Sequence, residues 1–119
     1  MKQLTKAEEQ IIQIMWELGK TNVKQIREHL PEPKPAINTV STIVRILENK
    51  GFVGHEKKGR GYLYFPIVAK EVYTQHSLRK MINNYFDGSF KNLVSFFAKK
   101  EAIDVTELEE ILKELHKKS

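Results

Sequence analysis

The sequence predicts a mainly α-helical chain with one small β hairpin, and three observations carry that reading. Apolar residues recur at helical spacing in several separate stretches, as in Val40, Ile43, Val44 and Leu47. Two short runs, Phe52-Val53-Gly54-His55-Glu56 and Tyr62-Leu63-Tyr64-Phe65, break that period with aromatic and apolar residues around a glycine-containing basic turn. At 119 residues, 40% of them hydrophobic, the chain suits one compact domain, or a domain with a short oligomerisation appendage.

The elements follow in order. Thr5-Lys6-Ala7-Glu8 fits a capping box, so a first helix is expected over about 6–18, with Ile11, Ile12, Met15 and Leu18 apolar and Gly19 as its stop. Thr21 or Asn22 can cap a second helix whose apolar face is Val23, Ile26 and Leu30, and Pro31 and Pro33 end it. A third helix carries the Val40 to Leu47 stripe and stops at Gly51. Lys57-Lys58-Gly59-Arg60-Gly61 is expected to join the two strands, with both glycines free to take positive φ angles, and Pro66 closes the second strand. A fourth helix is expected from Ala69 to Phe86, broken by Asp87-Gly88-Ser89, and a short fifth carries Phe90, Leu93, Val94 and Phe97. The last has Thr106 and Glu109 as a capping box and Leu108, Ile111, Leu112 and Leu115 as its stripe.

Composition removes several chemistries. The chain has no cysteine, which excludes disulfides, thiolate metal sites and a cysteine nucleophile. His29, His55, His76 and His116 stand far apart, without metal-ligand spacing, and no phosphate-binding glycine loop or paired carboxylates stand out, so the expectation is no enzyme and no cofactor. Nothing resembles a membrane span or a secretory signal, and a cytoplasmic location is expected. The net charge of +5 favours a polyanionic partner, and residues 1–66 hold most of it, with 11 Lys and Arg against 7 Asp and Glu.

Three helices followed by a hairpin is the order of a winged helix-turn-helix. The domain expected over 1–67 would bind double-stranded DNA, and a helical dimerisation region would fill 68–119. Opposite the apolar stripe of the third helix lie Asn38, Ser41, Thr42, Arg45 and Asn49, with Thr39 at the border. That face has no acid and offers amide, hydroxyl and guanidinium groups that bond base edges, while Lys57, Lys58 and Arg60 on the wing, and Lys50 at the helix end, suit phosphates. Leu78, Met81, Ile82, Tyr85, Leu93, Phe97, Leu108, Ile111, Leu112 and Leu115 are the expected homodimer interface, because three short helices cannot bury those stripes alone. A winged-helix protein-interaction adaptor without DNA binding is the alternative.

The stretch from Asn38 to Phe52 resembles the recognition helix of the penicillinase and methicillin-resistance repressors and of related copper-responsive repressors. Leu4-Thr5-Lys6-Ala7-Glu8 through Met15-Trp16 resembles that family's first helix, and Gly88-Ser89-Phe90-Lys91-Asn92-Leu93-Val94 a piece of its dimerisation region. The resemblance implies a homodimeric bacterial repressor on a palindromic operator, tied to the regulation of antibiotic resistance. In several members a sensor-linked protease cuts the dimerisation region and relieves repression. The copper-responsive branch binds metal through C-terminal cysteines, which this chain lacks. The antibiotic-responsive members are cut at an Asn-Phe pair; here Phe96-Phe97 aligns with it, keeping the phenylalanine after the cut but not the asparagine. Phe96 and Phe97 are read first as interface residues and second as a processing site.

Overall fold

Thr5 opens the first helix as the sequence requires. Its hydroxyl accepts from the Glu8 N–H at 3.2 Å while the Glu8 carboxylate accepts from the Thr5 N–H at 3.1 Å, closing the capping box. The structure is a computed structural model that describes residues 1–101 and 104–118. Its elements are α1 (Lys6–Leu18), α2 (Val23–Glu28), α3 (Ile37–Asn49), β1 (Val53–Lys58), β2 (Gly61–Pro66), α4 (Lys70–Tyr85), α5 (Phe90–Glu101) and α6 (Val105–Lys118). The chain is therefore mostly helical, with a two-stranded antiparallel hairpin as its sheet among the described residues.

Gly19 ends α1 at φ 73°, its N–H donating to Met15 O at 2.8 Å. Of the two candidate caps for α2, Asn22 does the work, its Oδ1 accepting from the Gln25 N–H at 2.8 Å. Thr21 is buried instead and pairs through its backbone with Tyr64, which ties β2 to the start of α2. The proline-rich connector is held as well as stiff. Lys34 Nζ donates to the carbonyls of Leu30 at 2.7 Å and Glu28 at 2.8 Å, capping the end of α2, and Arg27 Nε donates to Pro35 O at 2.7 Å.

Two compact units divide the chain, Met1–His76 and Ser77–Ser119. The core of the first is built from Ile11, Ile12 and Met15 of α1, Ile26 of α2, Val40, Val44 and Leu47 of α3, and Phe52, Val53 and Tyr64 of the hairpin. Burying each such side chain contributes about 1.5–3 kcal/mol. Tyr73 belongs to this core, 5.6 Å from the Phe52 ring and 6.0 Å from Trp16, whose Nε1–H donates to Val68 O at 2.9 Å. Val68 and Tyr73 thus complete the packing of this unit, which runs to His76.

Three local details differ from the sequence expectation. The strands run on through Lys57, Lys58 and Gly61, with Lys58 paired to Gly61, so the turn is only Gly59-Arg60. Gly59 alone of the two turn glycines has a positive φ, 62°. At α6, Asp104 rather than Thr106 is the cap: its Oδ1 accepts from the Thr106 N–H at 3.0 Å, which places Thr106 inside the first turn. α5 is opened similarly by Ser89, whose Oγ accepts from the Asn92 N–H at 3.1 Å.

Candidate nucleic-acid interface

α3 separates its side chains cleanly. Val40, Val44 and Leu47 are fully buried and Ile43 packs partly against them. Asn38, Thr39, Thr42, Arg45 and Asn49 are exposed and Ser41 is half-buried at the flank. The helix period brings Asn38, Thr42, Arg45 and Asn49 onto one line along the outer surface. Thr42 Oγ1 donates its proton back to Asn38 O at 2.9 Å, which leaves the oxygen's lone pairs turned outward as acceptors. Arg45 forms no ion pair among the described residues. Ala36 stands at the cap position and supplies no side-chain bond, so the first N–H groups of α3 are left for solvent or a phosphate.

Sequence reasoning passed over Ile46. It is exposed on the flank of the polar face, about two turns along from Thr39, and its signal was its place outside the Val40 to Leu47 stripe. An exposed branched aliphatic at that position can meet a thymine methyl.

The hairpin carries its basic residues differently from a simple tip. Lys57 and Lys58 are strand residues, so their side chains point to opposite faces, and only Arg60 sits in the turn. All three are exposed. Lys57 shares its face with His55, Tyr62 and Tyr64, while Glu56 on the other face pairs with Lys20 at 3.1 Å. Lys50 Nζ reaches Glu8 Oε1 at 2.5 Å and Gln3 O at 3.1 Å, a bond between the end of α3 and the start of α1.

Burial also sorts the expected interface residues of the second unit. Leu78, Met81, Tyr85, Phe97, Ile111, Leu112 and Leu115 are exposed, Tyr85 at 78% and Leu115 at 60%, while Ile82 and Leu108 are half-buried. Leu93 is buried at 8% exposure, so in the single chain it serves the unit's own packing. Phe96 and Phe97 are both about half exposed on α5, and the Phe96 ring lies 5.6 Å from Phe86. Among the described residues no cluster of three or more His, Asp or Glu side chains could hold a metal ion, and no helix is long and apolar enough to cross a membrane.

The sequence pattern of the penicillinase repressor family matches residues 4–117. The chain belongs to the penicillinase repressor family. It is similar to the methicillin resistance regulatory protein MecI of Staphylococcus aureus (strain N315), 26% identical over 117 residues that cover 98% of this chain and 95% of the relative. The penicillinase repressor of Bacillus licheniformis is 24% identical over 116 residues, covering 94% of this chain and 91% of that protein. The penicillinase repressor of Staphylococcus aureus is 23% identical over 120 residues, with 98% and 95% covered. Membership in the penicillinase repressor family thus extends across both compact units, from α1 into α6.

Proposed function

We propose that the chain is a sequence-specific DNA-binding transcriptional repressor that acts as a homodimer on a palindromic operator. The observation that carries the reading is the outer line of α3, where Asn38, Thr42 and Arg45 stand exposed and acid-free in a chain matched to a repressor family from end to end. Amide and hydroxyl groups read base edges in the major groove, and arginine pairs with guanine or phosphate. Lys57, Lys58 and Arg60 would neutralise phosphates beside the groove. The exposed apolar residues of α4, α5 and α6 favour a second copy of the chain, and two-fold symmetry then matches two half-sites.

Selection from a random-sequence duplex library with the full-length protein tests this. The expected product is a dyad-symmetric sequence whose half-sites are centred about one helical turn, or a multiple of it, apart. Recovery of no preferred duplex, with no shift at low salt, would favour the adaptor that binds only protein. Relief by proteolysis within the dimerisation region is the finer part of the proposal. Phe96–Phe97 lies within α5, so a protease would need that helix unwound locally. Mass spectrometry of the chain from β-lactam-treated cells reads it directly. A fragment ending at Phe96 supports processing; an intact chain on derepressed genes leaves the pair as interface residues alone.

A further inference from the structure

Among the described residues, two side-chain pairs hold the outer part of the wing to the rest of its unit. On one face Lys20 bonds Glu56. On the other, the Glu48 carboxylate in the last turn of α3 meets Nδ1 of His55 on β1. The His55 ring is packed edge-on to Tyr62, 4.9 Å away, and lies 5.9 Å from Tyr64. Tyr64 is buried and bonded through its backbone to Thr21, so β2 is anchored at that level. Glu48 and His55 therefore join the C-terminal end of the duplex-facing helix to the wing just where the anchored part of the hairpin ends.

We propose that Glu48 and His55 are a positioning pair that fixes the wing against α3. The imidazole Nδ1–H donates to a carboxylate, and a hydrogen bond to an ionised acceptor is shorter and stronger than one between neutral groups. Glu48 is the acid that faces His55 from α3. Tyr62 and Tyr64 face it from β2, and Lys57 follows on the same strand face. Glu56 points to the other side of the sheet, where Lys20 holds it. The side chains of His55 and Glu48 are 43% and 28% exposed, so the pair is partly screened and its effect is modest. It matters because α3 and the wing must meet one duplex together, and a wing already held loses less freedom on binding. This consequence rests on the duplex-binding reading; the positioning itself does not.

The test compares the full-length parent with Glu48→Gln, His55→Gln and the double variant, all at partly exposed positions where folding is unaffected. Backbone ¹⁵N relaxation at residues 57–61 of the free protein reads the hold directly. Affinity for the duplex recovered by selection, at fixed salt and pH, reads its consequence. The parent should show a more ordered turn than any of the three variants. It should also bind that duplex about two- to fivefold tighter than they do. Each single variant and the double should lose that increment equally. A turn equally ordered with and without the Glu48 carboxylate, or equal affinity in all four proteins, overturns the proposal. Where selection yields no duplex, the relaxation arm still decides the positioning, and the DNA-binding reading falls separately.

Discussion

Lys50 at the end of α3 lies 2.5 Å from Glu8 Oε1, the same carboxylate oxygen that accepts the Thr5 N–H in the capping box of α1. One buried acid thus ties the N-terminus of the first helix to the C-terminus of α3. Burial pushes the Glu8 carboxyl upward, but the hydrogen bonds from Lys50 and Thr5, with the Lys50 charge, outweigh it and hold the carboxyl below its ordinary value.

A pH dependence of stability follows from that direction. A carboxyl whose folded pKa is depressed contributes stability above its unfolded pKa, and loses it as the pH falls through the lowered folded value. Glu8→Gln should therefore destabilise the chain by about 1–2 kcal/mol at neutral pH, since it removes the charge partner of Lys50 and weakens the cap. The gap between parent and variant in urea unfolding should be flat above about pH 5 and close in more acid solution. A gap that widens toward acid would show the sign to be wrong.

Tyr73 makes the second prediction. Its ring lies against Trp16 and Phe52, so Tyr73→Ala should cost about 3–5 kcal/mol, the range for emptying a large aromatic from a core. A chain cut after Pro66 loses both Tyr73 and the Val68 carbonyl that accepts from Trp16, whereas a cut after His76 keeps them. Thermal unfolding of the longer fragment should be cooperative and that of the shorter one broad or shifted well down. Equal melting of the two would remove α4 from the first unit's core.

These cases mark what the sequence discloses and what it does not. The Thr5–Glu8 box, the Gly19 stop and the α3 stripe are legible because each depends on residues within a turn or two of one another. The Lys50–Glu8 bond is not legible because the partner is 42 residues away, and a lysine beside a polar helix face reads as free until the fold brings Glu8 to it. Lys57 and Lys58 look like loop residues by composition, yet cross-strand pairing with Tyr62 and Gly61 holds them in the ladder. At α6 the sequence reading takes Thr106 as the cap, but the helix starts one residue before it, at Val105, and Asp104 supplies the capping oxygen. Leu93 carries the same apolar signal as Phe97, but only packing reveals that one is buried and the other exposed.

The wing should behave as an electrostatic element. Replacing Lys57, Lys58 and Arg60 together by alanine should weaken binding to every duplex and reduce the slope of log affinity against log salt by up to about three. Preference for the selected sequence over unrelated DNA should survive, because phosphate contacts carry little sequence information. Replacing Lys50 alone by alanine should leave that slope unchanged and lower stability instead, since its ammonium faces Glu8. Titrations at several salt concentrations separate the two behaviours, and a Lys50 variant with a flattened slope would return that residue to the interface.

The recognition face should fail in the opposite way. Asn38 and Thr42 are exposed one turn apart, and the Thr42 hydroxyl, by donating to Asn38 O, turns its lone pairs toward whatever lies outside. Neither side chain takes part in the core, so Asn38→Ala and Thr42→Ala should leave thermal stability within about 0.5 kcal/mol of the parent. On the selected duplex each should cost about 1–3 kcal/mol, with much less change on unrelated DNA, because a lost base contact removes discrimination rather than charge. Thr42→Val separates the hydroxyl from the shape of the side chain: it keeps the volume and removes the acceptor. If Thr42→Val binds like the parent while Thr42→Ala does not, the residue contributes a methyl contact and not a hydrogen bond. If both variants, and Asn38→Ala, bind the selected duplex as tightly as the parent, base reading lies elsewhere and the outer line of α3 is a solvated surface.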